Sequence, residues 1–110
     1  MDKKAALEAF AALSQDTRLE VFRILVRAGA EGMPAGEIAD RLATMQNTMS
    51  SHLKILDHAG LVRSERQGRN IRYFASFVGI RDLLAFLMED CCNGNPALCQ
   101  PVIEAITCDC

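Results

Sequence analysis

The first ninety residues contain no cysteine, yet the 110-residue chain carries five, at Cys91, Cys92, Cys99, Cys108 and Cys110. The body of the chain therefore has no disulfide staples. Its core must hold by apolar burial, which at this length removes roughly two-thirds of the unfolded surface from water. No run approaches the ~18 consecutive apolar residues of a membrane span, so no membrane partner is expected. The opening Met1-Asp2-Lys3-Lys4 leads into an amphipathic pattern and not into the apolar stretch of an export signal. A reducing, cytoplasmic compartment is the expectation, where clustered thiols are metal ligands or reactive groups more often than disulfides. Internal repeats and low-complexity segments are missing too. Half of the residues are hydrophobic, which fits one globular domain and excludes disorder.

Charge is unevenly spread. Residues 1–50 carry a net charge of −1, residues 51–76 carry +3, and residues 77–110 carry −4. Only the middle segment, with Lys54, Arg63, Arg66, Arg69 and Arg72, can attract a polyanion; the end of the chain repels one.

Hydrophobic periodicity predicts a helix over 4–13, with Leu7, Phe10 and Leu13 on one face. Ser14 offers an N-cap to a second helix, Asp16 adds negative charge to its first turn, and Leu19, Phe22, Leu25 and Val26 lie along it. Gly29 ends that helix as a left-handed C-cap. A loop over 30–33 follows. Pro34 stands where a short third helix begins, with Ile38, Ala39 and Leu42 apolar. After a turn near 43–45, a fourth helix runs from Gln46 to His58. Met49, Leu53 and Leu56 form its buried stripe, and Asn47, Ser50, Ser51 and Lys54 face the other way. Gly60 stops it. Leu61–Glu65 and Ile71–Ala75 read as strands around the turn Gln67-Gly68-Arg69-Asn70. The last long helix, Val78 to Cys92, carries apolar residues on more than one face, so part of it should meet a partner. Asn93-Gly94-Asn95-Pro96 breaks the chain, and Pro101 to Ile106 adds a helical turn or two.

Two short helices joined by a tight turn, then a basic hairpin, form a winged helix-turn-helix. The fold class is mainly α with a β-hairpin wing, in the order α-α-α-α-β-β-α. Four separated motifs narrow it: Leu13-Ser14-Gln15-Asp16-Thr17-Arg18-Leu19, Gln46 to Leu56, Ala59-Gly60-Leu61-Val62, and Gly68-Arg69-Asn70-Ile71-Arg72-Tyr73. Over about residues 5–92 the chain resembles the ArsR/SmtB family of bacterial repressors. The resemblance implies a homodimer, joined through the first and last helices, that binds palindromic operator DNA and leaves it when a metal or metalloid binds. Residues 1–92 would be the DNA-binding and dimerisation domain and 93–110 a cysteine-containing tail. Short polar side chains at the amino end of a recognition helix suit base edges, which picks out Gln46, Asn47, Thr48, Ser50 and Ser51. Lys54, one turn on, suits phosphate, and Arg69 and Arg72 on the wing suit the backbone or minor groove. His52 either packs against the turn or joins the DNA face.

Cys91 and Cys92 point ~100° apart at the end of the last helix, so one ion beyond that end can touch both. Cys99 returns after the Gly/Pro break. No histidine lies in this segment, and Asp90 is its one adjacent carboxylate, so a soft thiophilic ion suits it better than zinc. The family's Cys-x-Cys site before the recognition helix has no counterpart at Glu37-Ile38-Ala39-Asp40, and its Asp/His site on the last helix is missing as well. The Cys-Cys…Cys pattern is similar to that of arsenic-responsive members. This implies Cys91, Cys92 and Cys99 as thiolate ligands, with As(III) or Sb(III) as the inducer. The motif does not place Cys108 and Cys110. Alternatives are a cadmium- or other soft-metal-sensing repressor and a thiol-redox-sensing one. Against redox sensing, a helix carboxyl end beside Glu89 and Asp90 disfavours thiolate. No catalytic base is evident and no Cys-x-x-Cys lies on a βαβ framework, so an enzyme is not expected.

Overall fold

Alanine, not leucine, seats the first helix. In a computed structural model that describes residues 1–89 and 95–106, α1 (Lys3–Leu13) buries Ala6, Ala9 and Ala12 and turns Leu7 and Phe10 outward. Small side chains let α1 lie close on its neighbours; the larger stripe beside them is left for something else. Asp2 caps α1 by accepting the Ala5 N–H at 2.8 Å. The expected cap at Ser14 moves by one residue. Ser14 is already used by α1, its hydroxyl donating to the Ala11 carbonyl at 2.9 Å. Gln15 therefore caps α2 (Asp16–Ala28), accepting the Arg18 N–H at 2.9 Å. Within α2, Val21, Phe22 and Leu25 are buried while Leu19 and Val26 are exposed. Gly29, at φ 61°, ends α2, and a single 3₁₀ turn (Gly29–Glu31) follows.

Met33, expected at the end of a loop, and Pro34, expected to open a helix, then form a short strand. β1 (Met33–Pro34) pairs antiparallel with β3 (Asn70–Ala75), Met33 opposite Tyr73 and Pro34 opposite Arg72. A proline without an N–H is tolerated because β1 is an edge strand. With β2 (Val62–Gln67) the sheet order is β1-β3-β2. Gln67 pairs with Asn70, which leaves Gly68-Arg69 as a two-residue loop, and Gly68 supplies its positive φ of 63°. Between β1 and β2 lie α3 (Ala35–Arg41) and α4 (Gln46–His58). As expected, α4 buries Met49, Leu53 and Leu56, which share one core with Leu25, Ile38 and Leu61.

The carboxyl end of the fold departs most from expectation. α5 (Phe77–Leu87) stops at Leu87 and does not continue through Met88 and Glu89. Met88 closes it, donating to the Leu84 carbonyl at 3.0 Å. Acidic Glu89 and Asp90 oppose the negative end of a helix dipole, which favours an early stop. A further helix, α6 (Pro96–Ile106), begins at Pro96 and not at Pro101, which lies inside it. Proline is favoured at a first helical position, and Asn95 supports the start by accepting the Ala97 N–H at 3.1 Å. No helix among the described residues is long and apolar enough to cross a membrane.

Gly79 shows how tightly α5 is seated. A Cβ there would collide with the carbonyl oxygen of Gly60, just past the end of α4. Backbone cannot swing aside as a side-chain tip can, so Gly79→Ala should cost about 2 kcal/mol or more. A fall of roughly 8 °C or more in the thermal midpoint is expected in calorimetry. An unchanged midpoint would contradict the close approach.

Candidate nucleic-acid interface

The apolar stripe of α4 fixes which of its side chains remain outside. Gln46, Asn47, Thr48, Ser50, Ser51 and Lys54 are all exposed, and His52 is half-buried. Two of them are partly occupied by their own helix: Asn47 Oδ1 accepts the Thr48 N–H at 2.9 Å, and the Ser51 hydroxyl donates to the Asn47 carbonyl at 3.3 Å. Met45, the N-cap residue, gives no side-chain cap. Apart from the Thr48 N–H that Asn47 accepts, the first-turn amides of α4 have no side-chain hydrogen-bond partner among the described residues.

The wing closes on this end of α4. Gln46 and Ser50 from α4, Arg69 and Asn70 from the wing tip, and Tyr73 from β3 line one notch of about 270 Å³. Gly36 of α3 borders it, and a Cβ there would meet the Gln46 side-chain amide at 3.4 Å. Burial, with Asp57 adding to it, raises the Tyr73 pKa above its usual value, so the phenol stays a neutral donor and acceptor.

Not every expected residue joins this notch. Arg72 turns to the other side, where its Nε donates to Gln67 Oε1 at 3.1 Å and its NH1 to the Glu31 carbonyl at 2.9 Å. It ties the wing to the turn after α2. Lys54 borders a separate cavity with Arg18 and His58. Arg63 is likewise committed, 2.9 Å from Glu65 and 4.2 Å above the Phe74 ring. Among the described residues, the wing cations without an ion pair or side-chain hydrogen bond are Arg66 and Arg69. Sequence reasoning counted Arg66 as charge without naming it as a contact; its place opposite Ile71, near the hairpin tip, depends on the strand register. Asn70 and Tyr73 were missed for the same reason.

Of the thiol residues, Cys91, Cys92, Cys108 and Cys110 lie outside the described residues. Cys99 is on α6, is buried, and is disulfide-bonded. Among the described residues, no group of three His, Cys, Asp or Glu side chains is arranged to hold a metal ion.

A recognition helix with an exposed polar amino end and a basic wing beside it defines a winged helix-turn-helix DNA-binding regulator. Comparison with known proteins agrees. The model of a helix-turn-helix domain family matches residues 13–65. The HTH-type transcriptional regulator MJ1325 of Methanocaldococcus jannaschii is 31% identical over 84 residues, covering 76% of this chain and 92% of that protein. YbzH of Bacillus subtilis, also an HTH-type transcriptional regulator, is 31% identical over 96 residues, covering 76% and 96%. The solved ArsR-like transcriptional regulator from Rhodococcus sp. RHA1 superposes with a TM-score of 0.69 at 30% identity, covering 94% of this chain and 90% of that one. The chain belongs to the ArsR-like family of helix-turn-helix transcriptional regulators.

The Arg72 tether can be tested without DNA. Arg72→Ala removes two hydrogen bonds from a partly exposed guanidinium and should cost about 1 kcal/mol. Amide hydrogen exchange at the tip, Gln67 to Ile71, should speed up while exchange in α4 changes little. Equal acceleration in both would show that Arg72 holds the whole domain and not the wing.

Proposed function

We propose that the protein is a metalloid-responsive repressor that holds a two-fold operator as a homodimer and releases it when As(III) or Sb(III) binds Cys91, Cys92 and Cys99. The observation that carries the DNA-reading part is the notch in which Gln46 and Ser50 meet Arg69. In this reading Gln46, Asn47, Thr48, Ser50 and Ser51 address base edges, with His52 beside them. Lys54, Arg66 and Arg69 address phosphate, and Arg72 holds the wing against it. The dimer is supported by apolar surface the monomer leaves open: Leu7 and Phe10 on α1, and Phe77, Val78, Leu84 and Leu87 on α5. Two copies double the phosphate contacts, which offsets a modest basic patch.

For the inducer, Cys99 is the described part of the site. Cys99 is buried on α6 and its sulfur is committed to a disulfide. Reduction must come first, since a disulfide has no thiolate to offer. When bound, the metalloid would supply sulfur bonds that favour one arrangement of the chain after α5. Because α5 carries the apolar dimer surface, that arrangement can alter the spacing of the two recognition helices. Going from ~99% to ~1% bound needs a differential affinity near 10⁴-fold, about 5.5 kcal/mol. By linkage, operator DNA must weaken arsenite binding by the same factor. The Cys99 disulfide also favours a second reading, in which oxidation itself is the signal.

Fluorescence anisotropy on operator DNA tests both parts. Arg69→Ala should weaken all sequences alike and flatten the salt dependence by about two units per dimer. Ser50→Ala should instead relax base preference at one position of each half-site. Reduced protein should leave the operator with arsenite or antimonite and stay with zinc, and Cys91→Ser, Cys92→Ser and Cys99→Ser should each abolish that response. Cadmium release equal to arsenite release would widen the inducer class to soft metals. Release by peroxide without release by arsenite would overturn the metalloid reading in favour of oxidation.

A further inference from the structure

Arg18 touches three helices at once. Its backbone N–H, in the first turn of α2, is capped by Gln15. Its Nε donates to the Ala12 carbonyl in the last turn of α1 at 2.8 Å. Its NH1 lies 3.4 Å from Nδ1 of His52 on α4. Among the described residues, it is the one side chain that hydrogen-bonds to both α1 and α4. The junction is otherwise loosely filled: an open cavity of about 360 Å³ borders it, walled by Ala11, Ala12, Ile55 and Ala59.

A guanidinium only donates. Its contact with Nδ1 therefore requires a lone pair there, which puts the single proton of a neutral ring on Nε2. The surroundings favour that neutral form, because burial first and the Arg18 charge second lower the His52 pKa from its ordinary 6.5. The ionisable groups lining the adjoining cavity are Arg18 of α2, Glu8 of α1, and Lys54 and His58 of α4. Of these, Arg18 is the one whose charge acts on the ring.

We propose that Arg18 is a positioning residue for operator recognition, tying the end of α1 to the His52 ring and so setting the pose of the recognition helix. Because α1 also carries the outward Leu7 and Phe10, a shift of α1 is passed to α4 through this contact. Protonating His52 turns the acceptor into a donor beside a fixed positive charge and breaks the link. Operator affinity should then fall as the pH drops through the lowered His52 pKa, below 6.5. The proposal rests on the operator-binding reading and not on the identity of the inducer.

Ring nitrogen shifts by NMR on the whole reduced protein read the tautomer and pKa of His52 without DNA, and anisotropy reads the operator. In wild type, the Nε2–H form should dominate at neutral pH. Arg18→Met should mix the tautomers, move the His52 pKa back toward 6.5, and weaken operator binding about tenfold, the scale of one charge-assisted hydrogen bond. Arg18→Lys should recover most of the affinity and, if the Met variant does not fold, carries the ring measurement as a partial shift. His52→Gln, which keeps an acceptor but cannot titrate, should lose the acid decline in affinity. Wild-type ring behaviour in Arg18→Met, or an acid decline that survives in His52→Gln, would overturn the proposal. A wild-type protein with no operator affinity would instead sink the function proposed above.

Discussion

The complete burial of Met49, Leu53 and Leu56 is the constraint on which the rest of the molecule depends. Three side chains at i, i+4 and i+7 fix the rotation of α4 about its own axis. Turning the helix by one residue, ~100°, would expose these apolar side chains and carry polar ones into a core with no partners for them. The cost is large enough that the outward set, Gln46, Asn47, Ser50 and Ser51, follows without further instruction. α3 and the sheet are set by the same core, through Ile38 and Val62. The notch between α4 and the wing is thus a consequence of packing on its far side.

This explains what could be read from the sequence. α4 and the β2–β3 hairpin are specified locally, by helical spacing and by a glycine turn, and both occur where expected. β1 was not legible, because two residues show no alternation and their partners, Arg72 and Tyr73, are far along the chain. The same holds for roles within the site. Gln46, Ser50 and Arg69, picked out by residue type and position, line one notch in the folded chain. That Arg72 serves the wing could not be read in this way, since its partners Gln67 and Glu31 are chosen by the sheet register and by the turn after α2. Arg18 sat inside a recognised motif, but its contact with His52 spans 34 residues and exists only in the folded chain. Leu7 and Phe10 were read correctly as one apolar face; periodicity does not say which surface a face meets.

α1 has two unlike stripes, and both matter. The alanine stripe holds it to its own domain, while Leu7 and Phe10 are left over. A helix seated by alanines buries less apolar surface than one seated by leucines, so it is held to its own core less strongly, at roughly 25 cal/mol per Å². Polar links then count for relatively more, and Arg18 provides one at the end nearest α4. An element weakly packed inside and apolar outside is well placed to respond to what happens at that outer face.

Cys99 brings a chemical restriction to any such response. A sulfur in a disulfide has no lone thiolate, so oxidation and metalloid binding are exclusive states of the same atom. The two readings of the site are therefore not independent. If the proposed metalloid response operates, whatever reduces Cys99 sets how much of the protein can answer a thiophilic ion, and each oxidised molecule is withdrawn from that equilibrium. The buried position of Cys99 on α6 limits access by large reductants. Under the proposed metalloid reading, the response to arsenite should accordingly depend on the size of the reductant supplied as well as on its potential, a dependence that a site built from solvent-facing, permanently reduced thiols would not show.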